Sequence, residues 1–149
     1  MNEEFNTRVK LAVYRLTAES GSVPNSEQVA RQIGTSEADV QTAFARLHAK
    51  RLLVPEPNDR SRIRMAPPFS GIETAFPVDA LGKRYYANCV WDAYGIAAAL
   101  NADAIIPASD GHTGESLTLE IKNHQPVSKP YVAHFAVPAA RWWDDIVFT

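Results

Sequence analysis

Pro67 and Pro68 stand side by side near the middle of a 149-residue chain, and the pattern on their two sides differs. Each proline fixes φ, lacks the N–H that a helix or ladder needs, and drives the residue before it toward extended backbone. Residues 66–71 are therefore expected to form an extended connector between an N-terminal unit, 1–65, and a C-terminal unit, 66–149. Before the connector, apolar residues recur at helical spacing. After it they fall in short strand-like runs around one helix. The division predicts an α+β chain, with mixed or antiparallel sheet in its second unit.

In the first unit, Val9, Val13 and Leu16 mark an amphipathic helix over residues 6–18, broken by Gly21-Ser22-Val23-Pro24. Asn25 followed by Gln28 offers a capping box for a short helix through Val29 and Ile33. Gly34-Thr35 turns the chain, and Ser36 caps a longer helix whose Val40, Phe44 and Leu47 form a core stripe. Leu52-Leu53-Val54 and Ile63-Arg64-Met65 read as two short strands. Three helices and a β-ribbon describe a winged helix-turn-helix-like unit.

Such a fold raises the question of DNA binding. The residues that would meet the major groove first are Glu37 and Asp39, of the wrong sign for phosphate, while Gln41 and Thr42 are polar without being basic. Arg46, Lys50, Arg51, Arg60, Arg62 and Arg64 are the basic cluster, and a solvated wing accounts for them as well as a backbone contact does. The net charge of −2 adds no global attraction to nucleic acid or to an anionic membrane. Nucleic acid is not the expected partner.

In the second unit, residues 74–78 read as an edge-type strand because of Pro77, 79–82 as a turn, and 84–86 as a strand leading into a helix. Strands are expected over 104–108, 117–121 and 131–137, with a loop over 109–114. Residues 141–145 read as a helical turn with Trp142 and Trp143 in the core, and 146–148 as the start of another strand. His112, His124 and His134 have no metal-site spacing and read as loop or strand residues.

The chemistry-bearing stretch is Tyr86-Ala87-Asn88-Cys89-Val90-Trp91-Asp92-Ala93, which holds the only cysteine of the chain. Asn88 is expected to cap the helix, placing Cys89 in the first turn, where free N–H groups and the dipole favour a thiolate. The thiol pKa is then expected below that of free cysteine, modestly, because the Asp92 carboxylate opposes the shift. Residues three apart share a helix face, so Cys89 and Asp92 can point into one cavity as nucleophile and proton donor. The same residues also suit an inert buried cysteine and an aspartate that complements the dipole.

This stretch resembles the active-site segment of the alkylmercury (organomercurial) lyases, in which Cys and Asp lie three apart after a Tyr-Ala pair. Ser116-Leu117-Thr118-Leu119 and the run from Val137 to Thr149 resemble later segments of that family, in the same order. The resemblance covers about residues 64–149, with a looser likeness before it. It implies protonolysis of a carbon–mercury bond, giving a hydrocarbon and Hg(II), with Cys89 as mercury-binding thiolate and Asp92 as proton donor and further candidate ligand. It implies no organic cofactor, an organomercurial substrate, and a thiol or mercuric reductase as acceptor of Hg(II). It also implies that an N-terminal helical unit serves as a packing partner.

In some members of that family a further, structural cysteine lies around the loop where Ser109, Asp110 and His112 stand here, and in the family a second active-site cysteine lies at or directly after the position of Thr149. The expectation is therefore a chain cut before its second sulfur ligand, whether as a fragment, a natural truncation or a UGA codon meant for selenocysteine. A one-thiol form is expected to bind mercurials and to cleave them slowly or not at all. The rival reading is a winged-helix regulator or mercurial sensor without lyase activity.

Compartment follows from what the chain lacks. No apolar run approaches the roughly 20 residues of a membrane helix, and Met1-Asn2-Glu3-Glu4 opens acidic without a signal-peptide core behind it. One cysteine cannot form an internal disulfide, which suits a reducing cytoplasm. A cytoplasmic protein is expected.

Overall fold

The computed structural model describes residues 2–147. Three helices open it: α1 (Asn2–Ser20), α2 (Ser26–Ile33) and α3 (Glu37–Ala49). The capping box at α2 is closed in both directions. Asn25 Oδ1 accepts from the Gln28 backbone N–H at 2.9 Å, and Gln28 Oε1 accepts from the Asn25 N–H at 2.9 Å. Gly34 ends that helix in the left-handed region, φ 69°, where a side chain would be strained. Ser36 Oγ accepts from the Asp39 N–H at 3.2 Å and starts α3. Val9, Val13, Val29, Val40, Phe44 and Leu47 close on one another with Leu53 and Ile63, burying an apolar cluster. Each such side chain contributes about 1.5–3 kcal/mol of burial.

Strands β1 (Val54–Glu56), β2 (Asp59–Ala66) and β3 (Phe69–Ser70) follow as an antiparallel sheet in that order. The expected extended connector is a hairpin instead: Phe69 pairs with Ala66 and Ser70 with Met65. Pro67 and Pro68, joined by a cis peptide bond, occupy the turn, where no ladder N–H is required. Gly71 closes it. Its N–H donates to Arg64 O at 2.8 Å, and a Cβ there would lie 1.8 Å from Ile63 O.

The second sheet contains β4 (Pro77–Ala80), β5 (Lys83–Tyr86), β6 (Ala104–Ser109), β7 (Ser116–Lys122) and β8 (Gln125–Pro126), antiparallel in the order β5-β4-β6-β7-β8. The strand at Pro77 is not an edge, since it lies between β5 and β6. Its proline stands at the first position, where the lost donor is least costly. Leu81 and Gly82, both at positive φ, make the tight β4–β5 turn. Helix α4 (Val90–Leu100) lies on this sheet, burying Ala93, Ile96 and Ala97 against Val78, Tyr85, Ile106 and Leu119.

The end of the chain departs most from expectation. Residues 131–137 form no strand; Tyr131, Val132 and Phe135 are exposed, and β8 already occupies the free side of β7. A 3-10 turn spans Ala139–Asp144. Its tryptophans lie outside both apolar clusters. Trp142 Nε1 donates to Val137 O at 2.8 Å and its ring rests on Phe135, while the Arg51 guanidinium stands 5.9 Å over the Trp143 ring. Ile146 and Val147 form a turn where a strand was expected to begin, and Phe148 and Thr149 lie outside the described residues.

The helical cluster and the sheet cluster meet at Tyr14 and Val23, which pack against both. Tyr14 Oη donates to Pro67 O at 2.7 Å and Tyr85 Oη donates to Ala18 O at 2.7 Å, tying α1 to the proline turn of the first sheet and to β5 of the second. No helix among the described residues is long and apolar enough to cross a membrane.

Candidate active site

Strand β5 ends at Tyr86, and three residues separate it from the start of α4 at Val90. Ala87 is held on both sides: it bridges Phe69, its N–H donates to Phe76 O at 2.9 Å, and its carbonyl accepts from the Thr74 hydroxyl. The backbone that delivers the sulfur is therefore fixed before the helix starts. Cys89 itself is the N-cap, extended at φ −155° and ψ 179°, and its side chain closes no capping hydrogen bond. The expected cap, Asn88, lies one residue too early for the role.

Asn88 turns its side chain the other way. Its Nδ2 donates to Asp92 Oδ2 at 3.0 Å and faces Phe69 O at 3.3 Å and Pro68 O at 3.4 Å. Three acceptors on one side fix which end of the amide is nitrogen. Its Oδ1 is buried and finds no partner among the described residues, an arrangement that costs about 1–3 kcal/mol. Helix α4 approaches the proline turn closely: a Cβ on Gly95 would stand 3.1 Å from Pro68 Cβ.

The electrostatics reverse one expectation. Burial pushes the Cys89 thiol up from its ordinary range, against the N–H groups of Asp92 and Trp91, which favour thiolate; the Asp92 charge raises it further. The physical reason is that a half-buried sulfur loses more water than the first N–H groups of one helix replace. Burial also pushes the Asp92 carboxyl up, opposed by the Asn88 hydrogen bond. Tyr14 is raised by burial and by the Asp92 charge, which places the phenol within electrical reach of the carboxyl. Cys89 and Asp92 thus stand at one helix start, with Cys89 as the extended cap and not in the first turn as expected. Trp91 beside them is exposed.

Other expected features stay apart from this place. His112 and His124 sit in turns where only their backbone N–H groups bond, to Asp110 and Asp103. Among the described residues no group of three or more His, Cys, Asp or Glu is arranged to hold a metal. In the helical unit, Glu37 accepts from Ser26 Oγ at 2.6 Å and from Gln41 Nε2 at 3.1 Å, while Lys50 pairs with Glu3 and Arg64 with Glu56. A concavity of about 780 Å³ lies on the sheet between Lys83, Arg84, Asp103 and Lys122, away from Cys89.

Two residues went unread in the sequence. Asn88 was expected only as a cap, and Tyr14 was not singled out. The signal available for Asn88 was a side-chain amide four residues before an aspartate at the entry of a helix.

A cysteine and a protonatable carboxyl at the start of a helix, on a sheet buttressed by an N-terminal helical unit, describe a thiol–acid site. The family model for alkylmercury lyase matches residues 69–149, so the chain belongs to the alkylmercury lyase family. Among solved structures, the mercury-bound form of MerB2 is similar with a TM-score of 0.60 at 20% sequence identity, over 85% of this chain. The chain spans 66% of the length of that protein. No curated protein matches in sequence.

Proposed function

We propose that the chain acts on organomercurials, with Cys89 as the mercury-binding sulfur and Asp92 as the proton carrier of carbon–mercury cleavage. The observation that supports this reading best is the pairing itself: a thiol and a carboxyl, both raised by burial and within electrical reach of each other, in a family of alkylmercury lyases. Mercury(II) is soft and selects sulfur over oxygen and nitrogen donors. A mercurial arriving as R–Hg–SR′ exchanges onto Cys89: the bond from mercury to the Cys89 sulfur forms as the Hg–SR′ bond breaks, R′S⁻ leaves, and the Cys89 proton passes to the Asp92 carboxylate. A second thiolate then adds to mercury and weakens the Hg–C bond. The electron pair of that bond leaves with carbon, which takes the proton from Asp92 as R–H. Mercury stays divalent on two sulfurs. No electron is gained or lost and no organic cofactor enters.

Cys89 is the only cysteine in the 149 residues, and the assay therefore supplies the second sulfur as a small thiol in excess. A raised Asp92 pKa suits the role, because a carboxyl that keeps its proton nearer neutrality is the better general acid. Hg(II) then leaves to a thiol or a mercuric reductase. The test is incubation with a phenylmercury salt and excess small thiol, with benzene followed by gas chromatography. With the second sulfur supplied as excess thiol, slow benzene release is expected from the unaltered chain, none above background from Cys89→Ser, and at least about a hundredfold less from Asp92→Asn. Tight phenylmercury binding without benzene at any thiol concentration would replace this reading with that of a mercurial-binding sensor.

A further inference from the structure

We propose that Asn88 is the positioning residue of this site: its amide, anchored on the carbonyls of Pro68 and Phe69, holds the Asp92 carboxyl in the orientation from which it exchanges protons. The proposal rests on the carbon–mercury reading for its catalytic meaning, and on geometry alone for the clamp itself.

Asn88 caps no helix, since the N-cap is Cys89. Its amide nitrogen instead faces three acceptors, of which Asp92 Oδ2 is nearest at 3.0 Å. The other two cannot drift. Phe69 is paired with Ala66 in the first sheet and bridged to Ala87. Pro68 lies under Gly95 at near-contact distance, and the neighbouring Pro67 carbonyl is held by the Tyr14 hydroxyl at 2.7 Å. The proline turn is thus a fixed anchor, and α1 reaches the site through it. Asn88 Oδ1, buried and unpartnered among the described residues, shows that the amide is oriented by its nitrogen alone. A carboxyl held by one oxygen keeps the other free for a proton, which is the geometry that proton transfer requires.

The experiment combines a signal that needs no turnover with a kinetic split. In an amide-correlation NMR spectrum, the Asn88 side-chain resonance, identified by its loss in Asn88→Ala, is expected to exchange slowly and to move on Asp92→Ala. With phenylmercury and excess thiol, Asn88→Ala is expected to lower kcat about tenfold or more with KM within about twofold, since misplacement of a reacting group acts on the chemical step. Loading of one phenylmercury on Cys89 is expected to stay unchanged, and the dispersion of the backbone amide spectrum checks that the variant is folded. A fast-exchanging amide that ignores Asp92, or an Asn88→Ala protein with undiminished kcat, overturns the proposal. If the unaltered chain binds phenylmercury and yields no benzene, the lyase reading fails, and the amide signal by itself decides whether the clamp exists.

Discussion

Asn25 and Asn88 stand at the entries of two helices and do opposite things. At α2, Asn25 closes a reciprocal box with Gln28, so the helix start is satisfied by its own neighbours. At α4, Asn88 leaves the start to Cys89 and spends its amide on Asp92 and the proline turn. One entry is built for stability. The other leaves a thiol where a cap would be, raised by burial and facing a carboxyl. The difference teaches that a poor cap, in a chain able to write good ones at Asn25 and Ser36, marks a place where the side chain has another task.

The largest effect should come from Cys89→Ser. It is expected to abolish phenylmercury binding, read by titration of bound mercury, because a hydroxyl does not replace a soft sulfur ligand. The same change supplies a good N-cap, so unfolding stability should rise by roughly 1 kcal/mol in urea. A variant that loses binding and also loses stability would break the comparison.

Asp92→Asn comes next. Benzene release is expected to fall by at least about a hundredfold while mercurial loading persists, as for removal of a general acid. The carboxyl also leaves a stability signature. Its folded pKa is raised above the unfolded value, so the folded state holds the proton more tightly. The wild-type protein therefore keeps its full contribution below the ordinary carboxylate range and loses it as pH rises through the raised value. Asp92→Asn should gain stability over wild type across that window and gain none below it. Urea unfolding at acid and neutral pH checks the sign.

Asn25→Ala should cost about 1 kcal/mol of stability and leave benzene release and Cys89 labelling unchanged. Any change at the thiol would mean that the two helix entries are coupled. The smallest effect is a displacement of a pH profile. Cys89 should alkylate more slowly than free cysteine at neutral pH, with its rate climbing only above the ordinary thiol range. Replacing Asp92 by Asn should move that profile down, because the Asp92 charge is one of the causes that raise it.

The helical unit was legible because its signals are local. Capping box, left-handed glycine and core stripe lie within a few residues of one another, and each is realised at Asn25, Gly34 and Val40–Phe44–Leu47. The strands β6 and β7 were legible for the same reason, as apolar runs between turns. The apolar run at 131–137 was misread because apolar composition without a free neighbouring strand makes no ladder, and β8 holds that place.

The sequence by itself determined the α+β order, the caps of the first helices and the spacing that sets Cys89 and Asp92 at one helix start. Only the tertiary structure decided that Pro67-Pro68 folds back as a hairpin and that Pro77 lies inside a sheet. It also decided that Asn88 serves Asp92 rather than the helix, and that the thiol is raised rather than lowered. Spacing is a property of the chain. Desolvation and hydrogen-bond choice depend on what arrives from elsewhere, here the proline turn and α1, and no local pattern encodes them.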